Sequence, residues 1–179
     1  LCFFIVALTA TGSVGQGLRQ EVDVCVYGGT SAGVIAAYTA AKLGKSVLLI
    51  EPGKHVGGLT AGGLGYTDIG NKYVVTGLSR DFYRRIGTHY GKFEQWIFEP
   101  HVAENIFKQY IRAANITVWY DHRIVSAAKE GAVIQRIVLE SSLNPATATN
   151  REVRAKMFID CSYEGDLMAK AGVSYTYGR

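Results

Sequence analysis

The stretch Asp23-Val24-Cys25-Val26-Tyr27-Gly28-Gly29-Thr30-Ser31-Ala32-Gly33 is an apolar run entering a glycine turn, and Val47-Leu48-Leu49-Ile50-Glu51 is a second apolar run ending in an acid. Between them, Val34-Ile35-Ala36-Ala37-Tyr38-Thr39-Ala40-Ala41-Lys42-Leu43 reads as a helix that Gly44 stops. Strand, glycine turn, helix, strand and acid in this order open a dinucleotide-binding fold. The residue types follow from chemistry, because a diphosphate rests on a helix N-terminus only where backbone N–H groups are bare and side chains keep clear. Gly28 permits the tight turn out of the strand and Gly33 lets the helix pack closely on the sheet. The whole turn, Gly28, Gly29, Thr30, Ser31, Ala32 and Gly33, is the candidate phosphate cradle, and Glu51 is placed to accept hydrogen bonds from ribose hydroxyls. Thr30 stands where the usual fingerprint has its middle glycine. A plain βαβ unit with an ordinary glycine turn is the competing reading.

Outward from this unit, composition narrows the field. The chain has 179 residues, 48% of them hydrophobic, and a formal charge of +4, enough for one substantial core or for a domain with an insertion. It has no dense Lys/Arg run and no basic residues interleaved with aromatics, so nucleic acid is excluded as an expected partner. The opening run Leu1-Cys2-Phe3-Phe4-Ile5-Val6-Ala7-Leu8-Thr9-Ala10 is too short to span a bilayer and is followed by small and polar residues through Gly17. Residues 1–17 therefore read as the remnant of a secretory signal peptide, with export to the periplasm or the medium expected and a buried N-terminal strand as the alternative. Cys2, Cys25 and Cys161 give neither a disulfide framework nor metal-ligand spacing, and His55, His89, His101 and His122 show no ligating pattern. No metal is expected.

Further along, residues 52–71 are dense in glycine and read as an ordered binding loop. Leu78, Phe82 and Ile86 predict a helix over 75–90, and Pro100 suits the first turn of another that carries Val102, Ile106, Tyr110 and Ile111. Residues 116–120 predict a strand, 123–128 and 133–140 an antiparallel hairpin, and 151–159 a further strand after a polar stretch. The fold class is thus α/β, a Rossmann-like parallel sheet with an antiparallel β-meander insertion. Ser174-Tyr175-Thr176-Tyr177 reads as a last strand-like run.

Two later motifs bear on which dinucleotide is held. Gly57-Gly58-Leu59 puts a glycine pair shortly after the ribose acid, and Met157-Phe158-Ile159-Asp160-Cys161-Ser162-Tyr163-Glu164-Gly165-Asp166 is an apolar strand ending in small and acidic residues. With the 27–33 turn and Phe98-Glu99-Pro100-His101, they resemble the FAD-dependent oxidoreductase family whose exported bacterial members carry the label xanthan lyase-like. The resemblance implies FAD held through its ADP moiety at the 28–33 turn, with Gly57, Gly58 and Leu59 beside the diphosphate and the Val125 backbone against the adenine. It also implies that residues 22–179 are the N-terminal portion of a cofactor-binding domain, inactive alone. Val125 is equally well read as a core residue of an alternating strand. Asp166 has two open readings, an acid near the cofactor and a cap for the helix at Leu167.

The flavin supplies redox chemistry itself, so no catalytic residue is nominated. Tyr66 and Asp68 read as a polar turn, although their loop is within reach of a ring or substrate. The expected activity is transfer of hydride or electrons from a small-molecule or sugar-related substrate. A NAD-dependent dehydrogenase and a non-catalytic dinucleotide-binding module are the alternatives; a lyase lacks its base and charge neutraliser. Oligomeric state is left open.

Overall fold

The computed structural model describes residues 19–145 and 150–178. The leader-like segment 1–17, with Cys2, lies outside them. Along the chain run β1 (Arg19–Tyr27), α1 (Ser31–Lys42), β2 (Val47–Ile50), α2 (Gly58–Ala61), a 3-10 turn (Lys72–Val74), α3 (Gly77–His89) and α4 (Pro100–Ala113). They are followed by β3 (Thr117–Trp119), β4 (His122–Glu130), β5 (Val133–Ser141), β6 (Arg151–Asp160) and α5 (Asp166–Lys170).

All six strands form one sheet in the order β3-β2-β1-β6-β5-β4. β1 pairs in parallel with β2 on one side and β6 on the other, and β2 pairs in parallel with β3. β4, β5 and β6 are the antiparallel meander. The expected insertion is therefore partly shared with the parallel sheet, because β6 belongs to both. Its ten residues pair with β1 along nearly their whole length, whereas β5 engages only Arg151, Glu152 and Val153.

Sheet twist then carries the meander across the second face of the parallel strands. The buried Tyr27 hydroxyl at the end of β1 accepts the Ile124 N–H of β4 at 3.1 Å, and the His122 N–H donates to the Glu51 carbonyl at 3.2 Å. This explains why all four residues of β2 are buried: a strand covered on both faces becomes apolar throughout. On one face Val26, Leu49, Phe82, Val102, Phe107 and Tyr110 form a core with α1, α3 and α4. On the other, Cys25, Leu48 and Ile50 pack with Ile124, Leu139 and Leu167.

The 75–90 helix is present with its start trimmed, and Pro100 occupies the first turn of α4 as its fixed φ favours. The 52–71 loop contains the short helix α2, which lacks the length for a periodic pattern to appear in sequence. Residues 173–178 form no strand, since alternation specifies a strand only where a partner supplies the backbone hydrogen bonds. No helix among the described residues is long and apolar enough to cross a membrane.

Candidate functional site

The carboxyl ends of β1, β2 and β6 meet at the glycine turn. Gly28 has φ +97°, a conformation natural to glycine, and a Cβ there would lie 2.7 Å from the Cys161 carbonyl carbon and the Ser162 nitrogen. A Cβ on Gly33 would run into the Gly28 carbonyl oxygen. Gly28 and Gly33 are thus required by the close approach of β6 and α1 to the turn. Thr30 at the middle-glycine position is explained by the same junction. It is the N-cap of α1: its hydroxyl accepts the Gly33 N–H at 3.2 Å and donates to the Cys161 carbonyl at 2.9 Å. One side chain therefore caps the helix and fixes it to the third motif.

With Gly33 capped by the Thr30 side chain and Val34 bonded to the Thr30 carbonyl, the Ser31 and Ala32 amides have no acceptor among the described residues. Two free N–H groups at the positive end of a twelve-residue helix attract an anion. Ser31 and Ala32 also line a cavity of about 360 Å³ whose wall includes the apolar side chains of Phe82 and Phe107. An anion-attracting end and an apolar wall in one opening suit a ligand with an anionic part and an apolar part.

Glu51 closes the other side of the turn. Its Oε2 accepts the Gly29 N–H at 2.7 Å and its Oε1 accepts the Gly53 N–H at 2.6 Å. A carboxylate has about four acceptor positions, so two such bonds leave capacity for hydroxyl donors. Gly57, at φ +102°, donates its N–H to the Gly29 carbonyl at 2.7 Å, which lays the glycine pair alongside the first turn. The Leu59 side chain is exposed, and its N–H donates to the Tyr163 hydroxyl at 2.6 Å.

The third motif divides its acids. Asp160, at the end of β6, accepts from the Ser162 amide and hydroxyl and from the Met168 N–H at 2.8 Å, and so takes the helix-tethering role allowed for Asp166. Asp166 is the exposed first residue of α5, with Gly165 as N-cap. The capping reading of Asp166 is corrected accordingly: β6 brings Asp160, not Asp166, within reach of the Met168 amide in the first turn of α5. Burial pushes the Tyr27 phenol up; the hydrogen bond from the Ile124 amide opposes this, and Asp166, Asp160 and Glu51 add to the rise. These three carboxylates act on one phenol from around the end of the sheet.

Val125 sits in a β-bulge, where the β4–β5 register shifts between Ile124 and Ser126, and it is 37% exposed. Core packing does not account for it. A bulge takes a peptide out of the ladder and leaves its N–H and C=O available to another partner. By contrast, the His55 side chain pairs with Glu104 at 3.1 Å, and the exposed Tyr66 forms an isolated bridge with Ile97, so neither is brought into the turn cluster. Sequence reasoning missed Tyr163 and the bonding of Asp160; the only signal was that both lie in the small and acidic segment ending β6.

The sequence model of FAD dependent oxidoreductases matches residues 23–179. The chain belongs to that family. It is 28% identical over 159 residues to a thiamine thiazole synthase of Pyrococcus horikoshii, an alignment covering 84% of this chain and 60% of that protein. The chain thus spans about three fifths of the length of this curated relative. Its fold is similar to a geranylgeranyl bacteriochlorophyll reductase-like protein of Thermoplasma acidophilum, with TM-score 0.62 and 21% identity over 87% of this chain and 43% of that one. It is also similar to the THI4 protein of Thermovibrio ammonificans, with TM-score 0.58 and 23% identity over 86% of this chain and 64% of that one. The family's cofactor is FAD, and the turn is compatible with it: free helix amides suit a diphosphate and a spare carboxylate capacity suits a ribose. Among the described residues no three His, Cys, Asp or Glu gather as a metal site.

Proposed function

We infer that the chain is the dinucleotide-holding part of an exported FAD-dependent oxidoreductase, with the ADP moiety of FAD on the 28–33 turn and a small-molecule or sugar-related reductant as substrate. The observation that carries the reading is the pair of free amides, Ser31 and Ala32, at the capped end of α1 beside Glu51. When bound, FAD supplies hydride and electron chemistry. This chain's residues bind and orient. The Ser31 and Ala32 amides neutralise diphosphate charge, Glu51 accepts from the adenosine ribose, the Gly57, Gly58 and Leu59 backbone flanks the diphosphate, and the Val125 peptide meets the adenine edge. Export is supported by the leader-like 1–17 segment.

The test uses Ser31→Pro in the full-length protein. Ser31 is the first residue of α1, where proline is tolerated, and Thr30 before it is already extended at ψ 174°. The substitution removes one amide donor and keeps the helix. FAD affinity measured by flavin fluorescence is expected to fall about tenfold or more, a charge-assisted bond being lost, with Tm nearly unchanged. Unchanged affinity for FAD overturns the placement. A wild-type protein that binds NAD and shows no visible flavin absorption favours a nicotinamide-dependent dehydrogenase; bound FAD that no sugar, polyol or amine bleaches favours a non-catalytic module.

A further inference from the structure

Tyr163 is 61% exposed, yet its hydroxyl is fixed. It accepts the Leu59 N–H at 2.6 Å, and a Cβ built on Gly58 would collide with this hydroxyl on one side while lying 3.2 Å from the Thr30 Cα on the other. The phenol oxygen therefore stands within about one residue's breadth of the start of α1, on the side where the Gly57-Gly58-Leu59 segment runs past it. The loop carrying it is anchored from below. Thr30 donates to the Cys161 carbonyl, the Cys161 N–H donates to the Tyr27 carbonyl at 2.7 Å, and Asp160 holds Ser162 and Met168. The Leu59 bond uses one lone pair of the phenol and leaves its O–H proton without an acceptor among the described residues. A phenol that already accepts an amide bond is a better donor.

We propose that Tyr163 is a cofactor-contact residue that donates its phenolic hydrogen bond to the diphosphate of FAD, adding a side-chain donor to the backbone amides of Ser31 and Ala32. This rests on the placement of the diphosphate at α1. It assigns the third motif a direct contact with the cofactor in addition to its packing against the turn. Because the aromatic ring also covers Gly58, it explains why that position carries no side chain.

Tyr163→Phe in the full-length protein keeps the ring and removes the hydroxyl. Its affinities for FAD, ADP and AMP are compared with wild type by calorimetry, and Leu59 amide exchange is followed as a check on the turn. The expected result is a loss of about tenfold for FAD and ADP and less than threefold for AMP, with Tm nearly unchanged. Equal affinities for FAD and ADP in variant and wild type overturn the proposal, as does an equal loss for all three ligands, which marks a turn-holding role alone. Tighter FAD binding in the variant also overturns it, since the phenol would then compete with the ligand. A wild-type protein that binds neither FAD nor ADP refutes the placement on which the proposal rests, an outcome distinct from these.

Discussion

At the scale of single residues, Glu51 does two jobs with one carboxylate, because the bonds that shape the turn use only part of its acceptor capacity. Glu51→Gln keeps the volume and gives up one acceptor oxygen, leaving the Gly29 or the Gly53 amide without its partner. The expected loss is about 1–3 kcal/mol of stability and a parallel loss of FAD affinity, measured by urea unfolding and by titration. Turnover at saturating FAD is expected to change little, and a collapse of turnover there with affinity intact would overturn the ribose role. Gly28→Val is a poor probe of binding, because its side chain would meet the Cys161–Ser162 backbone before any ligand. The turn itself was legible in sequence because glycine spacing is local. The role of Thr30 was only half legible: its place in the motif is read from spacing, whereas its acceptor on Cys161 lies 131 residues away. Tyr163 could be read only as a member of the third motif, since the contact of an exposed tyrosine depends on the loop beneath it.

Helices α3 and α4 illustrate the same division at the scale of elements. Their apolar faces were readable from period alone, and Phe82, Ile86, Val102, Ile106 and Tyr110 are buried where the pattern put them. The polar tie between them was not readable. Asp81 accepts the Tyr110 hydroxyl at 2.5 Å and pairs with Arg85 at 2.7 Å, while the Arg85 guanidinium lies over the Tyr110 ring. Burial raises the Asp81 carboxyl, but the bonds from Tyr110 and Arg85 outweigh it and hold the group below its ordinary 3.8. Burial first, and the Asp81 bond second, push the Tyr110 phenol above its ordinary 10.0. For Asp81, whose folded value is depressed, the contribution is present above pH 3.8 and is lost as pH falls through the lower folded value. For Tyr110, whose folded value is raised, it is full below pH 10.0 and declines as pH rises from there. Tyr110→Phe is therefore expected to lower stability by about 1–2 kcal/mol at pH 7 and to flatten the decline above pH 10, followed by urea denaturation across that range. A decline as steep in the variant as in wild type would remove Tyr110 as its source.

For the whole molecule, the sheet was foreseeable as a set of strands but its curl was not, because no local pattern reports that Ile124 of an edge strand will lie against Tyr27 of a central one. The Val125 bulge belongs to the same bend, where the twist of the meander is taken up. One measurable result concerns the two thiols among the described residues. Cys25 is fully buried between the layers, and burial pushes its thiol up to about 12, whereas Cys161 is partly exposed at the end of β6, its thiol raised by partial burial and by the Asp160 carboxylate. In native protein at pH 8, iodoacetamide is expected to modify Cys161 slowly and Cys25 only through global unfolding, so that urea accelerates Cys25 labelling with the full unfolding slope. Cys25 labelling that ignores urea would mean that the meander lifts off the sheet by itself.

The position of β6 also bears on how the protein is made. It is the last strand among the described residues and yet the one that joins β1 to β5, so those two strands cannot be joined until residue 160 has left the ribosome. Until then β1 has β2 on one side and no neighbour on the other, a long interval in a topology dominated by distant pairings. Nascent chains stalled before β6 should be more protease-sensitive and more readily held by chaperones than those stalled well beyond it; the exit of one strand is thus a step in synthesis at which exposure to aggregation falls.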